Sequence, residues 1–296
     1  MRLLAIDTAL PAASACVLDS QELEPLAVES QPMERGHAES IAPLIQRVVG
    51  AVDGGFKSLD RVAVTVGPGS FTGVRIGIAA AQAIALARRI DLVGVSTLSA
   101  LAAPNFLEPF EGVVAAAIDA RHGQIYVAAF SPEGRVLVSP RRTGAVEALR
   151  ALGDYPSLGL RGGGSKQRLL LVGSGAALLE AQARANGFSA QIVSDASAPD
   201  IVFVARLGLV ANPEDAPARP LYLKSADAKP VAWARAAANL AESEQASGPS
   251  TENPAPEVEQ KKPNKSEASG AEPPAAAPEP ISETRPGGHV NESCPS

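Results

Sequence analysis

The sequence predicts a duplicated α/β fold followed by a long segment that stays disordered. Strand-like and helix-like patterns alternate along the first 230 residues, and two groups of features recur in the same order about 112 residues apart. Beyond Leu240 there is no Leu, Phe, Tyr or Trp, and ten of the 25 prolines fall there. Such a segment buries too little apolar area to offset the entropy lost on ordering.

The first elements are short and apolar. "RLLAID" (2–7) reads as a strand buried on both faces, "SACVLD" (14–19) as its hairpin partner, and "LEPLAVESQ" as an extension of the meander. In "HAESIAPLIQRVVGAV" (37–52), Ile41, Leu44, Ile45, Val48, Val49 and Val52 fall at helical spacing. "RVAVTV" (61–66) is a strand, 72–89 a helix, "LVGVS" (92–96) a strand and 97–103 a short helix. The second half then runs "VVAAAID" (113–119), "QIYVAAF" (124–130), a short strand near "RVLVS", and a helix around 144–152. After a mobile loop, "LGLRGGGSKQ" (158–167), come "RLLLVG" (168–173), a helix at 175–187 and a last helix near 200–211.

The duplication rests on two echoes. Ala5–Asp7 recurs at Ala117–Asp119, each copy ending a strand that turns into another. "RVAVTVGPGS" (61–70) is answered by "RLLLVGSG" (168–175), each a strand, a tight glycine turn and a helix. Two ordinary strand–helix units would read the same way in either copy alone; the shared order favours duplication.

Charge narrows the function. The formal net charge is −6, and the tail from Ala241 accounts for all of it with ten acidic and four basic residues. Residues 1–240 therefore carry no net basic field, which argues against autonomous nucleic-acid binding. Two cysteines, Cys16 and Cys294, provide neither a disulfide framework nor metal spacing. The apolar runs are too short for a signal peptide core or a membrane span, so a cytoplasmic protein is expected.

The stretch "VGPGSFTGVRIGIAAAQAIALA" (66–87) holds the strongest local pattern. "GPGSFTG" is neither a dinucleotide-binding nor a Walker A loop, since Thr72 replaces a required glycine and no Gly-Lys ending follows. Ser70 or Thr72 is a competent helix N-cap, which accounts for the residues without a ligand. Gly73, Gly77, Ala81 and Ala85 then recur every four residues, a strip almost without side chains. A helical glycine costs about 1 kcal/mol relative to alanine, so something must approach that strip closely. The spacing leaves open whether it is the chain's own core or a second polypeptide.

Candidates for direct chemistry are few. Asp7 and Asp119 are a possible carboxylate pair facing an interdomain cleft; alternatively, each holds turn amides at its own strand end. Asp7, Gly67 and Gly69 are the candidates for cofactor contact. His37, His122 and His289 are isolated: His37 flanks a helix start and His122 sits in a turn. No nucleophile–base constellation stands out, and Cys16 is expected to be buried.

"LLAIDTA", "RGHAESIAPLI", "VGPGSFTGVRIGIAAAQAIALA", "VGVSTLSALA", "AAIDARHGQIYVAAF" and "PLYLKSADAK" together resemble the TsaB family of tRNA threonylcarbamoyladenosine biosynthesis. The resemblance covers about residues 1–229. It implies an actin/Hsp70/sugar-kinase-like fold, with subdomains at 1–105 and 106–229 and a disordered tail at 230–296. It also implies a noncatalytic subunit of TsaD, the related protein that transfers threonylcarbamoyl to the adenosine beside the anticodon. Thr97 and Leu101 stand where TsaD carries its His-x-x-x-His metal pair, and a hydroxyl and an isobutyl group cannot replace two imidazoles. ATP and metal are then expected in the partner subunits TsaD and TsaE, with tRNA reached only through the complex and no membrane contact. The family's contact region carries over to Ser70, Phe71, Thr72, Gly73, Val74, Gly77, Ala81, Ile84, Ala85 and Arg88, used for TsaD or for a homodimer when alone. A contrasting reading is an independent ATP-dependent phosphotransferase or hydrolase using Asp7; a peptidase is a third.

Overall fold

A computed structural model describes residues 1–153 and 168–223. The expected loop at 158–167, the tail beyond 230, His289 and Cys294 lie outside the described residues. Two five-stranded mixed sheets form the frame. In the first, β1 (Arg2–Asp7), β2 (Ala12–Asp19) and β3 (Ala27–Pro32) make an antiparallel meander. β4 (Arg61–Gly67) joins β1 in parallel, and β5 (Asp91–Ser96) joins β4. In the second, β6 (Gly112–Asp119), β7 (Gln124–Phe130) and β8 (Val136–Gly144) repeat the meander. β9 (Arg168–Val172) and β10 (Ala190–Ser194) repeat the parallel pair. The strand orders β3-β2-β1-β4-β5 and β8-β7-β6-β9-β10 are the same path traced twice. This is the duplication that the two echoes favour, in the actin-like arrangement that the family resemblance implies.

β1, β2 and β4 are apolar almost throughout because helices cover both faces of their sheet. On one face lie α1 (His37–Gly50) and α2 (Phe71–Arg88), packed on Leu4, Ile6, Val17 and Val64. On the other lies α6 (Ile201–Val210), whose Ile201, Val204 and Ala205 meet Leu3, Ala5 and Ala63. The second sheet is covered by α4 (Ala145–Gly153) and α5 (Ala176–Ala185) on one face. Its other face receives α3 (Thr97–Ala102), where Leu98 and Leu101 pack on Val114, Ala116 and Phe130.

The two halves thus exchange packing through their third helices. α3 lies between the sheets, with Ala100 towards Val93 and Val95 of the first and Leu98 and Leu101 on the second, and α6 covers the first. The segment after α6 also stays with the first sheet, through Gly94 N–H to the Ala216 carbonyl (2.8 Å) and Leu221 N–H to the Val66 carbonyl (2.7 Å). The expected boundary at 105/106 separates the two sheets, but residues 201–222 pack against the first half.

Two strands differ from expectation. β10 has no counterpart in the sequence reading: it is five residues long and alternates half-buried with exposed positions. β8 runs on through Pro140, with its register to β7 shifting around that point. A proline is tolerated there because β8 is an edge strand and the interrupted pairing removes the need for its N–H.

Candidate functional site

The turn between β1 and β2 is the centre around which the glycine loop is built. Thr8 Oγ1 donates to the Gly73 carbonyl (2.7 Å), and the Ser70 N–H donates to the Ala9 carbonyl (2.7 Å). A Cβ at Gly69 would overlap the Ala9 carbonyl, and one at Gly73 the Thr8 carbonyl. At Gly77 it would sit 2.5 Å from Thr8 Oγ1 and 3.4 Å from Val64. Gly67 has φ +98°, a left-handed conformation that favours glycine, with the Leu221 carbonyl close by. Ser70 is the N-cap of α2, its Oγ accepting from the Gly73 N–H at 3.2 Å. These contacts account for Gly67 and Gly69 without a bound phosphate.

They also correct the partner surface read from the sequence. Gly73, Val74, Gly77, Ala81 and Ala85 are buried, and the bald strip meets the chain's own strand β4 and β1–β2 turn. At Gly73 and Gly77 the helix approaches the β1–β2 turn so closely that not even a methyl fits. Ile84 is half-buried against the same core, and Arg88 donates to the Lys57 carbonyl at 2.9 Å. Ser70, Phe71 and Thr72 remain exposed.

The outward face of α2 is different in kind. Phe71, Thr72, Arg75, Ala79, Gln82, Ala83, Leu86 and Ala87 are exposed there, Phe71 by 43% and Leu86 by 82%. No carboxylate occurs anywhere between Phe71 and Arg88. Beside it, α1 exposes Ala38, Glu39, Ala42, Pro43, Gln46 and Arg47, with Arg47 paired to Glu29 (2.7 Å). The two adjacent helices thus present alanines, Pro43, Phe71 and Leu86 outward, interspersed with Thr72, Arg75, Gln82, Glu39, Gln46 and Arg47. Sequence reasoning missed Arg75 and Tyr222 on its border; they are 147 residues apart and hydrogen-bonded.

A second feature is a cleft of about 600 Å³ between the halves. Arg35, Glu39, Ser70 and Thr72 line it from one side, and Asp119, Arg121 and Tyr126 from the other. Asp119 reaches this cleft, but Asp7 does not: it is fully buried behind the turn. The expected pair of facing carboxylates is therefore not formed. Each aspartate instead holds an amide two residues on, Asp7 Oδ1 from Ala9 N–H (3.0 Å) and Asp119 Oδ1 from Arg121 N–H (2.7 Å).

Asp7 Oδ1 also accepts from the Thr65 hydroxyl, while Oδ2 is buried without a hydrogen bond. Burial raises the Asp7 carboxyl above its ordinary value, opposed by the Thr65 and Ala9 hydrogen bonds and by His37 nearby. His37 itself is buried at the start of α1, its Nε2 donating to the Leu10 carbonyl (3.1 Å). Cys16 is fully buried, and its thiol is pushed up to about 12 by burial and by Asp200. His122 occupies the β6–β7 turn with φ +54°, next to Arg121 at +65°. Thr97 and Leu101 are both buried, Leu101 in the α3 contact with the second sheet. Among the described residues no group of three or more His, Cys, Asp or Glu side chains could hold a metal ion.

Comparison with known proteins points one way. The family model for TsaD, tRNA N6-adenosine threonylcarbamoyltransferase, matches residues 29–216. The Escherichia coli tRNA threonylcarbamoyladenosine biosynthesis protein TsaB is 35% identical over 146 residues, which span 49% of this chain but only 62% of that protein. The TsaB protein of Buchnera aphidicola subsp. Schizaphis graminum is 30% identical over 173 residues, covering 58% of this chain and 78% of its own. The structure of YeaZ from Pseudomonas aeruginosa superposes with a TM-score of 0.57 at 24% identity, covering 75% of this chain and 99% of that one, a likeness of fold.

Proposed function

The chain belongs to the TsaB family, and from that premise we propose that it serves tRNA threonylcarbamoyladenosine biosynthesis as a noncatalytic partner subunit of TsaD. The observation that carries this reading is the outward face of α2, with Phe71, Ala79, Ala83, Leu86 and Ala87 exposed and no carboxylate over five turns. Exposed apolar surface of this extent is characteristic of a protein contact. With the adjoining face of α1 it offers two small-residue helices, which a related pair of helices can meet at close range. In the absence of TsaD the same face takes a second copy of this chain, giving a homodimer with two-fold symmetry.

In this reading TsaD supplies the reacting centre, and TsaD and TsaE supply nucleotide and metal. Substrate tRNA is met only in the assembled complex, in the cytoplasm. Binding by this subunit favours the productive conformation of TsaD through its differential affinity for that state. No helix among the described residues is long and apolar enough to cross a membrane, in keeping with that setting. The contrasting phosphotransferase reading needs Asp7 at substrate. Its burial away from the cleft, with Oδ1 committed to Ala9 and Thr65, counts against that role.

The test is co-purification of the full chain with TsaD, followed by a tRNA modification assay with TsaE and threonylcarbamoyl-AMP. The chain alone is expected to be inert towards nucleotide, and its addition is expected to restore activity to TsaD. Nucleotide turnover by the chain alone, abolished in Asp7→Ala, contradicts the reading.

A further inference from the structure

We propose that Arg75, held against Phe71 and Tyr222, is the ion-pair anchor of this face and engages a carboxylate of the partner subunit. The proposal rests on the reading of α2's outward face as the partner contact and names the chemistry that recognises the partner there. The Arg75 guanidinium lies 3.8 Å from the centroid of the Phe71 ring and 5.6 Å from that of Tyr222. The two rings are themselves 5.1 Å apart, and Arg75 Nε donates to the Tyr222 hydroxyl at 2.7 Å. Tyr222 is fixed in turn by its neighbour: the Leu221 N–H binds the Val66 carbonyl, and the Leu221 side chain packs on the core of the first sheet.

An exposed stack of this kind adds only about 0.5–1 kcal/mol to the stability of the isolated chain. All three side chains are exposed, Phe71 by 43% and Tyr222 by 45%. A free arginine side chain carries about 2 kcal/mol of rotamer entropy, part of which the stack removes before any partner arrives. Among the described residues the guanidinium makes no hydrogen bond beyond Nε, so its two terminal nitrogens point a planar fork at solvent. Such a fork matches the two oxygens of a carboxylate, and ordering it in advance lowers the entropic cost of binding.

The surroundings favour a carboxylate over a phosphate chain. Surfaces that bind polyanions spread several cations along the contact. Here the next cation on α2 is Arg88, about 20 Å further along the axis at 1.5 Å per residue, its guanidinium turned to the Lys57 carbonyl. The other arginines nearby, Arg219 and the cleft's Arg35 and Arg121, lie on separate segments. One fixed arginine amid Thr72, Ala79 and Phe71, on a helix without carboxylates, fits a single buried ion pair at a protein interface.

The experiment measures the affinity of the full chain for purified TsaD across a salt series, with thermal melts as the fold control. Arg75→Ala is expected to weaken association about tenfold or more with an unchanged melt, and to flatten its dependence on salt. Arg75→Lys is expected not to restore it, because an ammonium lacks the planar fork. Tyr222→Phe keeps the ring and loses only the hydroxyl, so a smaller loss is expected. Unchanged affinity in Arg75→Ala, alongside lost affinity in Ala83→Arg, overturns the anchor and leaves the face standing. Unchanged affinity in Ala83→Arg overturns the face itself. A loss in Arg75→Ala that appears only when nucleotide or tRNA is present assigns the fork to a phosphate and overturns the carboxylate.

Discussion

α2 and α5 occupy the same place in the two halves of the duplication, yet they meet solvent differently. Both follow a parallel strand through a glycine turn and start against the backbone that ends the first strand of their half. Ser70 N–H binds the Ala9 carbonyl, and Gly175 N–H binds the Ala117 carbonyl at 2.9 Å. Their inward faces solve one packing problem with small residues, Gly73, Gly77 and Ala81 in α2 and Ala176 and Ala183 in α5. Outward they part. α5 is ten residues long and carries Glu180 and Arg184 as a pair one turn apart at 2.7 Å. α2 runs for 18 residues and exposes Thr72, Arg75 and Gln82 beside Phe71, Ala79, Ala83, Leu86 and Ala87, with no ion pair among them. The apolar residues that α5 exposes are Ala177, Leu178, Ala181 and Ala185. A duplicated scaffold constrains the buried face of both copies and leaves the solvent face free to diverge. What sets the first copy's solvent face apart is its length, the exposed aromatic Phe71 and the lack of any carboxylate along it.

Four changes break or sharpen this contrast. Gly77→Leu drives a side chain into Thr8 and Val64, and is expected to cost about 3 kcal/mol or more, read in denaturant melts; a folded but monomeric variant would mean that the strip faces a partner after all. Ala83→Arg is expected to leave stability within about 0.5 kcal/mol while abolishing co-purification with TsaD. The matching change on α5, Ala181→Arg, is expected to leave both untouched, and lost binding there would remove the distinction between the helices. Ser70→Ala deletes the cap of α2 and is expected to cost about 1 kcal/mol. α5 has no side-chain cap at Gly175, so the loss tests how far α2 depends on its own.

The smallest effect concerns Asp7, where the second half has the exposed Asp119 instead. The folded chain holds the Asp7 proton above the ordinary value of 3.8, because burial disfavours the charged carboxylate. Unfolding releases that proton once the pH exceeds 3.8, so stability is expected to fall as pH rises from there through the raised folded value. Asp7→Asn is expected to flatten that slope in melts across the acidic range and to leave support of TsaD intact. A slope unchanged by the substitution would mean that Asp7 is ionised in the fold.

Most elements were legible because their causes are local: apolar runs for β1 and β4, helical spacing for α1, a serine cap for α2. β10 was missed because five residues that alternate buried and exposed give little signal. The exchange of α3 and α6 could not be read, since an apolar helix does not say which of two sheets it will cover. The four-residue strip correctly required a close neighbour, but that neighbour proved to be Thr8, 65 residues earlier in the chain. The Arg75–Tyr222 contact joins residues 147 apart and leaves no local pattern at all.

The proposed function requires that α2, and not its counterpart α5, presents the face that another subunit covers. Single cysteines at Leu86→Cys and Leu178→Cys, in a Cys294→Ser background with Cys16 buried, place one thiol on each outward face. Labelling of both is then timed with and without TsaD. The account predicts that TsaD slows labelling at position 86 about tenfold or more and leaves position 178 unchanged. Equal rates at position 86 with and without TsaD, under conditions where the two proteins co-purify, would contradict it.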